Sequence, residues 1–413
     1  MCGIIFYQNT GPILRKKSDF YQAANLLYNR GPDHQNYIIK KNRMIFHSRL
    51  KIIDLHNRSA QPMRRNNFSI IYNGEIYNYL ELKNELKNFY HFTTNSDTEV
   101  LLFSFIHWGK KMLNKIEGMY SFVIFEENTN YYFAARDFFG QKPLYYFKKN
   151  SEIFFSSEIK PILKFFKLTI NFEDKEIYKY LNNNYFGDSK NTFFRNIFQV
   201  TPGTYCEYKN LKLQFKKYEI TPNKKIIERS IKSELVNSVK KNLISDVEVA
   251  LLYSGGVDSR SIYDLLPKIK KKKIKLFHLN FEDFSEIRNT SNLKNLKSFS
   301  FKKKDFFFNL NRCSKICESP PLSLFSLGYL KLFGSIKKNK IKVVLNGQGI
   351  DENFGGYNSL FNKLTKSKIF HPNGDILLNG SNFFKKKFVN DSKKNILKKK
   401  YDLLKKSKIP KNL

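Results

Sequence analysis

The stretch Val247–Leu266, VEVALLYSGGVDSRSIYDLL, decides the fold class of the second half of this chain. Its apolar start indicates a buried strand, and SGGVDS (Ser254–Ser259) separates that strand from a segment with helical spacing. At such a turn, backbone N–H groups and the helix dipole can receive an anion, while the glycines permit close approach. The lysine of the Walker pattern is missing, so transfer of a terminal phosphate is not indicated.

A second turn of this kind occurs in VVLNGQGIDENFGGY, residues 343–357. An apolar strand ends there at Asn346, and Asp351 follows shortly before two glycines. Because ligands of doubly wound sheets bind beyond the carboxyl ends of the strands, both turns are predicted to face one pocket. Asp258 and Asp351 would then share a Mg²⁺ ion that neutralises phosphate oxygens.

The two halves of the chain have different periodicities. Residues 226–413 alternate apolar strands with helices, which predicts a parallel sheet covered on both faces. Residues 1–205 contain short apolar or alternating runs separated by turns, which favours antiparallel sheets, and the Lys-rich stretch 206–225 is predicted to be a linker. Helices are predicted at 18–29, 79–88, 97–108 and 226–243. Ser96 is the expected cap of the third.

Composition leaves one non-enzymatic alternative open. The 413 residues include 73 Lys and Arg against 36 Asp and Glu, a net charge of +37. Such a charge is typical of nucleic-acid-binding proteins. The lysines are nevertheless spread through the whole chain among many Asn, Ile, Phe and Tyr residues, so a general compositional bias explains the charge. A basic nucleic-acid-associated protein therefore rests on this charge alone.

Cysteine usage points to a reducing compartment and to one unusual position. The four cysteines form neither a disulfide framework nor a paired zinc motif. We see no signal peptide and no apolar run long enough to span a bilayer, so the cytoplasm is the expected compartment. Cys2 directly follows the initiator methionine. Removal of that methionine would give Cys2 both a thiol nucleophile and a free α-amine that can act as a base.

These motifs together resemble the glutamine-hydrolysing asparagine synthetases, over about residues 1–360. The two turns of the second half are similar to the phosphate-binding segments of that family's synthetase domain. The first half resembles its glutaminase domain at these points: Cys2-Gly3-Ile4, Arg30-Gly31-Pro32-Asp33, Arg49–Leu55, Gln61-Pro62-Met63, Tyr72–Asn78, Ser96–Glu99, Ala135-Arg136-Asp137, Lys142-Pro143-Leu144 and Ser157–Lys160. The resemblance implies an αββα N-terminal-nucleophile domain (α+β) followed by an α/β domain of the ATP-pyrophosphatase type.

By this resemblance, the first domain hydrolyses glutamine. Cys2 would attack the side-chain amide to give a thioester and ammonia, and the Asn73 amide with the Gly74 N–H would stabilise the oxyanion. Arg49 suits the α-carboxylate of glutamine, whereas Glu75 and Asp97 suit its α-ammonium. The implied glutamine-binding residues are Arg49, Leu50, Lys51, Ile52, Ile53, Asn73, Gly74, Glu75 and Asp97.

The resemblance also implies that the second domain uses ATP to adenylate a carboxylate, that of aspartate in this family. Ammonia reaching it through an enclosed channel would then give asparagine, AMP and pyrophosphate. The implied ATP-binding residues are Tyr253, Ser254, Gly255, Gly256, Val257, Asp258, Ser259, Leu279, Asn346 and Gly347, with Asp258 and Asp351 as the metal ligands. A homodimer is possible.

Three departures from the family pattern keep alternatives open. Gln348 stands where the family carries an acid, and Arg260 stands where a small residue is common. The chain stops at KSKIPKNL, where the family continues. The 226–413 domain is therefore expected to be C-terminally incomplete and less stable than the first domain. The alternatives are an amidotransferase acting on a sugar carboxylate in surface-polysaccharide assembly, and a fragment with glutaminase activity only.

Overall fold

The computed structural model describes residues 1–11, 15–40, 42–183, 189–210, 212–220, 231–281, 293, 295–321 and 323–351. The lysine-rich segment 361–413, predicted to complete the second domain poorly, lies outside the described residues. Contacts divide the chain into two compact units, Met1–Glu173 with Phe186–Asn346 and Asp174–Tyr185 with Gly347–Leu413. All features below belong to the first unit unless the second is named.

The strands are β1 (Gly3–Asn9), β2 (His34–Ile39), β3 (Arg43–Arg49), β4 (Met63–Arg65), β5 (Phe68–Ile76), β6 (Gly118–Glu126), β7 (Tyr132–Arg136), β8 (Tyr145–Lys149), β9 (Glu152–Ser156), β10 (Phe198–Gln199), β11 (Thr204–Lys209), β12 (Lys212–Lys217), β13 (Val249–Leu252), β14 (Lys275–Phe281), β15 (Leu296–Phe301) and β16 (Val343–Leu345). The helices are α1 (Lys17–Asn25), α2 (Tyr79–Leu86), α3 (Asp97–Trp108), α4 (Lys160–Phe166), α5 (Asp174–Asn183, in the second unit), α6 (Ile231–Asn242), α7 (Val257–Leu265), α8 (Lys268–Lys273), α9 (Phe306–Cys317) and α10 (Leu324–Lys338).

The first half is a four-layer αββα sandwich. Among the described residues, it contains two six-stranded antiparallel sheets, ordered β10-β8-β9-β1-β3-β2 and β12-β11-β7-β6-β5-β4. Along β1, Ile4 and Phe6 pack between the sheets, while Ile5 and Tyr7 pack outward with α1 and α4. Helices α2 and α3 cover the outer face of the second sheet. Strands β1, β3 and β7 are buried on both faces, which explains the apolar runs in their sequences, and the antiparallel sheets are as predicted.

Helix α3 begins where the sequence predicts. The Ser96 side chain accepts the Thr98 N–H at 3.1 Å, and Asp97 and Glu99 lie in the first turn. The cap supplies an acceptor for a helix N–H group, and the acids favour the positive end of the helix dipole. This cap fixes Asp97 at a buried position at the start of the helix.

The predicted linker is wrong over its first part. Residues 204–209 and 212–217 form β11 and β12, which close the edge of the second sheet. Lysines on an exposed edge strand discourage pairing with other chains, so their density here does not indicate a linker. Tyr218 follows with its hydroxyl 2.8 Å from that of Tyr120, and residues 221–230 lie outside the described part.

The second half contains the predicted parallel sheet. Its described strands run in the order β15-β14-β13-β16, and every pairing is parallel. Val249 and Leu251 pack with α6 and α7 on one face, whereas Ala250 and Leu252 pack with α10 on the other. Strand β15 was not predicted. It lies at the edge of the sheet, and its LKSFSF sequence carries polar residues in place of the apolar run that marks a buried strand. None of the described helices is long and apolar enough to cross a bilayer.

Candidate active site

The candidate glutamine site lies where the layer between the two antiparallel sheets changes from apolar to polar. On β3 the inward positions run from Ile45 to Arg49, and on β5 they run from Ile71 through Asn73 to Glu75. Their period of two places these polar side chains at the same end of the sandwich. A cavity of about 450 Å³ opens there.

The structure brings most of the predicted glutamine site together around this cavity. The predicted residues that line it are Cys2, Arg49, Leu50, Ile52, Ile53, Asn73, Gly74, Glu75 and Asp97. Lys51 is not among the lining residues, because its Nζ points to the Asn57 side chain at 3.0 Å. The lining residues that sequence reasoning missed are Met1, Gln61, Tyr72, Ser96, Thr98, Met119, Lys142, Phe333, Lys342, Val343 and Val344.

The Cys2 thiol is held against the backbone of Leu50. The Leu50 N–H donates to the Cys2 sulfur at 3.4 Å, and the thiol lies 3.9 Å from the Leu50 carbonyl oxygen. Burial raises the pKa of this thiol, while the N-terminal ammonium, the Leu50 hydrogen bond and nearby Arg49 act in the opposite direction. Burial also lowers the pKa of the Met1 amine to about 6.

Asn73 is poised for a ligand. Its side chain is only 1% exposed, yet among the described residues neither its carboxamide nitrogen nor its oxygen has a hydrogen-bond partner. A buried amide without partners is unfavourable unless something else satisfies it. The neighbouring Gly74 cannot be replaced, because a Cβ there would lie 2.2 Å from the Met119 carbonyl oxygen. Strand β5 therefore approaches β6 closely beside an amide donor.

Two buried acids and one buried lysine are among the charged residues that line the cavity. Burial raises the pKa of Glu75 to about 7, with Lys142 opposing and Asp97 adding to the shift. Burial also raises the pKa of Asp97, although its carboxylate accepts the Tyr72 hydroxyl at 2.9 Å and the Ile76 N–H at 3.1 Å. The pKa of Lys142 is lowered by burial. Lys142 lies in a stretch that resembles the family, but no sequence pattern assigns it a role.

Arg49 is engaged by the segment that follows it. Its guanidinium donates to the carbonyl oxygens of His56 at 2.8 Å and Ile53 at 3.3 Å, and also to that of Asp54. A guanidinium has five N–H donors, so three carbonyl bonds leave capacity for a carboxylate. Arg49 thus shapes the cavity wall as well as contributing charge.

The predicted nucleotide turn has the expected strand–loop–helix geometry. Strand β13 ends at Leu252, α7 begins at Val257, and Gly255 between them has a φ of +83°, which favours glycine. The Ser259 hydroxyl accepts the Ser254 N–H at 3.1 Å and lies 3.1 Å from the Ser254 hydroxyl. The loop is therefore closed by its own hydroxyls.

The other predicted ATP residues of the first unit lie near the same sheet edge. Leu251 pairs with Leu345, and Leu252 pairs with Phe277. Tyr253 therefore follows β13 and Asn346 follows β16, while Leu279 lies near the carboxyl end of the neighbouring strand β14. Leu279 packs against α10, where a Cβ at Gly328 would lie 2.5 Å from it. Arg260 is exposed on α7.

The remaining predicted residues belong to the second unit. Gly347 accepts the Ile350 N–H at 3.3 Å, and Asp351 follows Ile350 in a helical turn. Among the described residues, no group of three or more His, Cys, Asp or Glu is placed to hold a metal. The Mg²⁺ site of Asp258 and Asp351 stays a prediction.

Comparisons with known proteins identify the family of this chain. Residues 1–219 match the family model of the glutamine amidotransferase domain, and residues 230–408 match that of asparagine synthase. The chain is 30% identical over 399 residues to the putative asparagine synthetase [glutamine-hydrolyzing] 2 of Methanocaldococcus jannaschii, covering 86% of this chain and 76% of that protein. The chain therefore belongs to the family of glutamine-hydrolysing asparagine synthetases.

Two further relatives are longer than this chain. Asparagine synthetase [glutamine-hydrolyzing] 1 of Bacillus subtilis is 30% identical over 382 residues, with 87% of this chain and 59% of that protein covered. Amidase chry2 of Gibberella zeae is 26% identical over 405 residues, with 87% and 60% covered. The chain thus spans about three fifths of these two relatives.

Proposed function

We propose that the first half hydrolyses glutamine at Cys2 and that the second half uses the ammonia to amidate a carboxylate activated by ATP. The observation that carries this proposal is the meeting of Cys2, the unpartnered Asn73 amide and the Glu75 and Asp97 acids in one cavity. With Met1 removed, the α-amine of Cys2 takes the thiol proton as sulfur attacks the amide carbon. The Asn73 amide donates to the oxyanion, and the α-ammonium returns its proton to the departing nitrogen as the C–N bond breaks, so that ammonia leaves and Cys2 is acylated. Water then hydrolyses the thioester, which releases glutamate and restores the thiol.

Glutamine is proposed to bind through its two α-substituents. The ionised Glu75 and Asp97 accept its ammonium, and the remaining Arg49 donors bind its carboxylate. The buried setting strengthens each of these interactions because the local dielectric constant is low. Lys142 lies near Glu75 and keeps part of that carboxyl ionised.

The ammonia is proposed to leave the cavity toward the second half. The cavity wall includes Phe333 of α10 and Val343 and Val344 of β16, beside the first-half residues. Apolar walls keep ammonia neutral and therefore nucleophilic, whereas in bulk water it would take up a proton. The same strand β16 leads to Asn346, at the edge where the nucleotide turn is found.

ATP is proposed to bind at Ser254–Ser259, where the start of α7 and the loop N–H groups face its phosphates. Oxygen donors suit Mg²⁺, and the carboxylates of Asp258 and Asp351 are the proposed ligands. Bound there, the ion would neutralise phosphate charge. This chain's own loop would retain the pyrophosphate after a carboxylate attacks the α-phosphate.

Aspartate is the proposed acceptor, giving asparagine, glutamate, AMP and pyrophosphate. The family match supports it. A sugar carboxylate stays the second candidate, because Gln348 departs from the family pattern and two relatives are named amidases. The test is formation of AMP with aspartate or with a uronic acid. A glutaminase-only chain would form no AMP with either, and a nucleic-acid-binding protein would instead bind polyanions with a steep salt dependence.

The cytoplasmic location and the homodimer also stay predictions.

Glutamate release from glutamine by the full chain, without ATP, tests the nucleophile. We expect Cys2→Ala to abolish it, because no other group replaces the attacking sulfur. Cys317→Ala is the matched control, since Cys317 is an exposed thiol on α9, and it should leave the rate unchanged. Equal rates for Cys2→Ala and the parent chain would disprove the assignment.

A further inference from the structure

The segment Leu50–His56, here called the glutamine loop, forms one wall of the candidate site. Arg49 holds it from inside through the three carbonyl bonds described above. Asp54 ties it to the start of α3, because its carboxylate accepts the Asn95 N–H at 2.8 Å. The position of this loop therefore decides where both Arg49 and Asp97 meet a ligand.

The second half of the chain also holds the glutamine loop. Asp246 makes a reciprocal pair with it, since its N–H donates to the Ile52 carbonyl at 3.0 Å and its carboxylate accepts the Asp54 N–H at 2.8 Å. Lys342 donates to the Asp33 carboxylate at 2.7 Å. The same Asp33 oxygen accepts the Lys51 N–H at 2.8 Å. Asp246 thus contacts the loop directly, whereas Lys342 supports it mainly through Asp33.

Both residues stand at the start of strands that end at the nucleotide motifs. Asp246 shortly precedes β13, which leads to Ser254, and Lys342 directly precedes β16, which leads to Asn346. The two strands are parallel neighbours, with Val249 opposite Val343. Two short parallel strands, the buried β13 and the half-buried β16, therefore connect the glutamine loop to the segments that carry the predicted nucleotide residues.

We propose that Asp246 and Lys342 are positioning residues for glutamine, supplied to the glutamine loop by the second half. This inference rests on the glutaminase function proposed above. Asp246 does not line the cavity, and Lys342 lines it with its ammonium bound to the Asp33 carboxylate. Their loss frees the loop to move and so weakens glutamine binding, while the chemical step at Cys2, once glutamine is bound, continues nearly unchanged.

Steady-state glutamine hydrolysis by the full chain tests this division. Asp246→Ala should raise the glutamine KM about tenfold and change kcat less than about twofold, because a hydrogen bond to a charged acceptor is lost. Asp246→Asn keeps an acceptor oxygen for the Asp54 N–H and should recover most of the lost affinity. Lys342→Met should raise KM about threefold. Asp264→Ala is the control, since this exposed acid pairs with Lys271 on the surface of the same half.

A second readout separates failure of this inference from failure of the proposed function. A diazoketone analogue of glutamine should alkylate Cys2. Mass spectrometry measures this labelling, whose rate should saturate with the analogue concentration. Absence of labelling in the parent chain would overturn the glutaminase function and this inference with it. Saturable labelling of the parent with equal half-saturation in Asp246→Ala and Lys342→Met would overturn the inference alone. Should Asp246→Ala not fold, Asp246→Asn and Lys342→Met decide the matter by the same two measurements.

Discussion

The glutamine cavity and the nucleotide turn differ in how their polar groups are held. In the cavity, Asn73, Glu75 and Asp97 are 1%, 7% and 6% exposed and project from strands and a helix start fixed by the sandwich core. At the turn, Val257 is 80% exposed, and the hydroxyls of Ser254 and Ser259 bond within the loop itself. The core fixes the polar groups of the cavity. The polar groups of the nucleotide turn instead form hydrogen bonds within their own loop.

This contrast shows two ways to prepare a site. A buried unpartnered donor such as Asn73 costs free energy in the empty protein, and that cost is relieved when an oxyanion forms. A loop that bonds to itself has no such cost, so a phosphate must compete with hydrogen bonds that already exist. Substitutions should therefore affect catalysis strongly in the cavity and affinity moderately at the turn.

The largest expected effect belongs to Asn73→Ala. Removal of an oxyanion donor should lower kcat for glutamine hydrolysis about 10²–10³-fold. Stability should change little, because the carboxamide has no partner among the described residues to lose. The measurements are initial rates of glutamate release and urea-induced unfolding of the same preparation.

Asn78→Ala is the matched control for Asn73→Ala. Asn78 is also buried, but its amide donates to the Lys115 carbonyl at 2.8 Å and accepts the Glu117 N–H at 2.9 Å. Its loss should lower the free energy of unfolding by about 1–3 kcal/mol and leave kcat nearly unchanged. If Asn73→Ala loses stability and keeps its kcat, the oxyanion role is wrong.

The next effect concerns pH. The pKa of Glu75 is raised to about 7 by burial, so this carboxyl becomes protonated as the pH falls below 7. A neutral acid cannot pair with the ammonium of glutamine, so kcat/KM should fall about tenfold per pH unit below 7, through a higher KM. Glu75→Gln should lower kcat/KM at pH 8 and remove this limb of the pH profile. A limb that persists in Glu75→Gln would assign the titration to another group, such as the terminal amine.

Much of the fold was predictable because local patterns and core packing agree. Central strands of the first half, such as β1, are buried on both faces, and the capped helix starting at Asp97 forms as predicted. Edge strands were missed, because β12 with its lysines and β15 with its serines bury little apolar surface. In such strands the polar residue types reflect exposure to solvent and do not indicate the backbone conformation.

The candidate site was predictable where resemblance supplied the positions, and it was incomplete where contacts join distant segments. Lys142 and Lys342 line the cavity, yet neither stands in a pattern that assigns it a role. The Asp246–Asp54 hydrogen bond joins residues 192 positions apart. No periodicity connects such pairs, because tertiary packing alone brings them together.

The smallest effect tests the nucleotide side of the comparison. Ser259→Ala removes the hydroxyl that accepts the Ser254 N–H and donates to the Gly256 carbonyl at 3.2 Å. With a net value of about 1 kcal/mol for the hydrogen bond that holds the Ser254 N–H, the Kd for ATP with Mg²⁺ should rise about fivefold in calorimetric titration. Ser261→Ala, at an exposed position of the same helix α7, should leave that Kd unchanged. Glutamine hydrolysis without ATP should proceed at the parent rate in both variants, because neither Ser259 nor Ser261 lines the glutamine cavity. If Ser259→Ala reduced hydrolysis as much as ATP binding while remaining folded, the two sites would not be held independently and the contrast between them would fail.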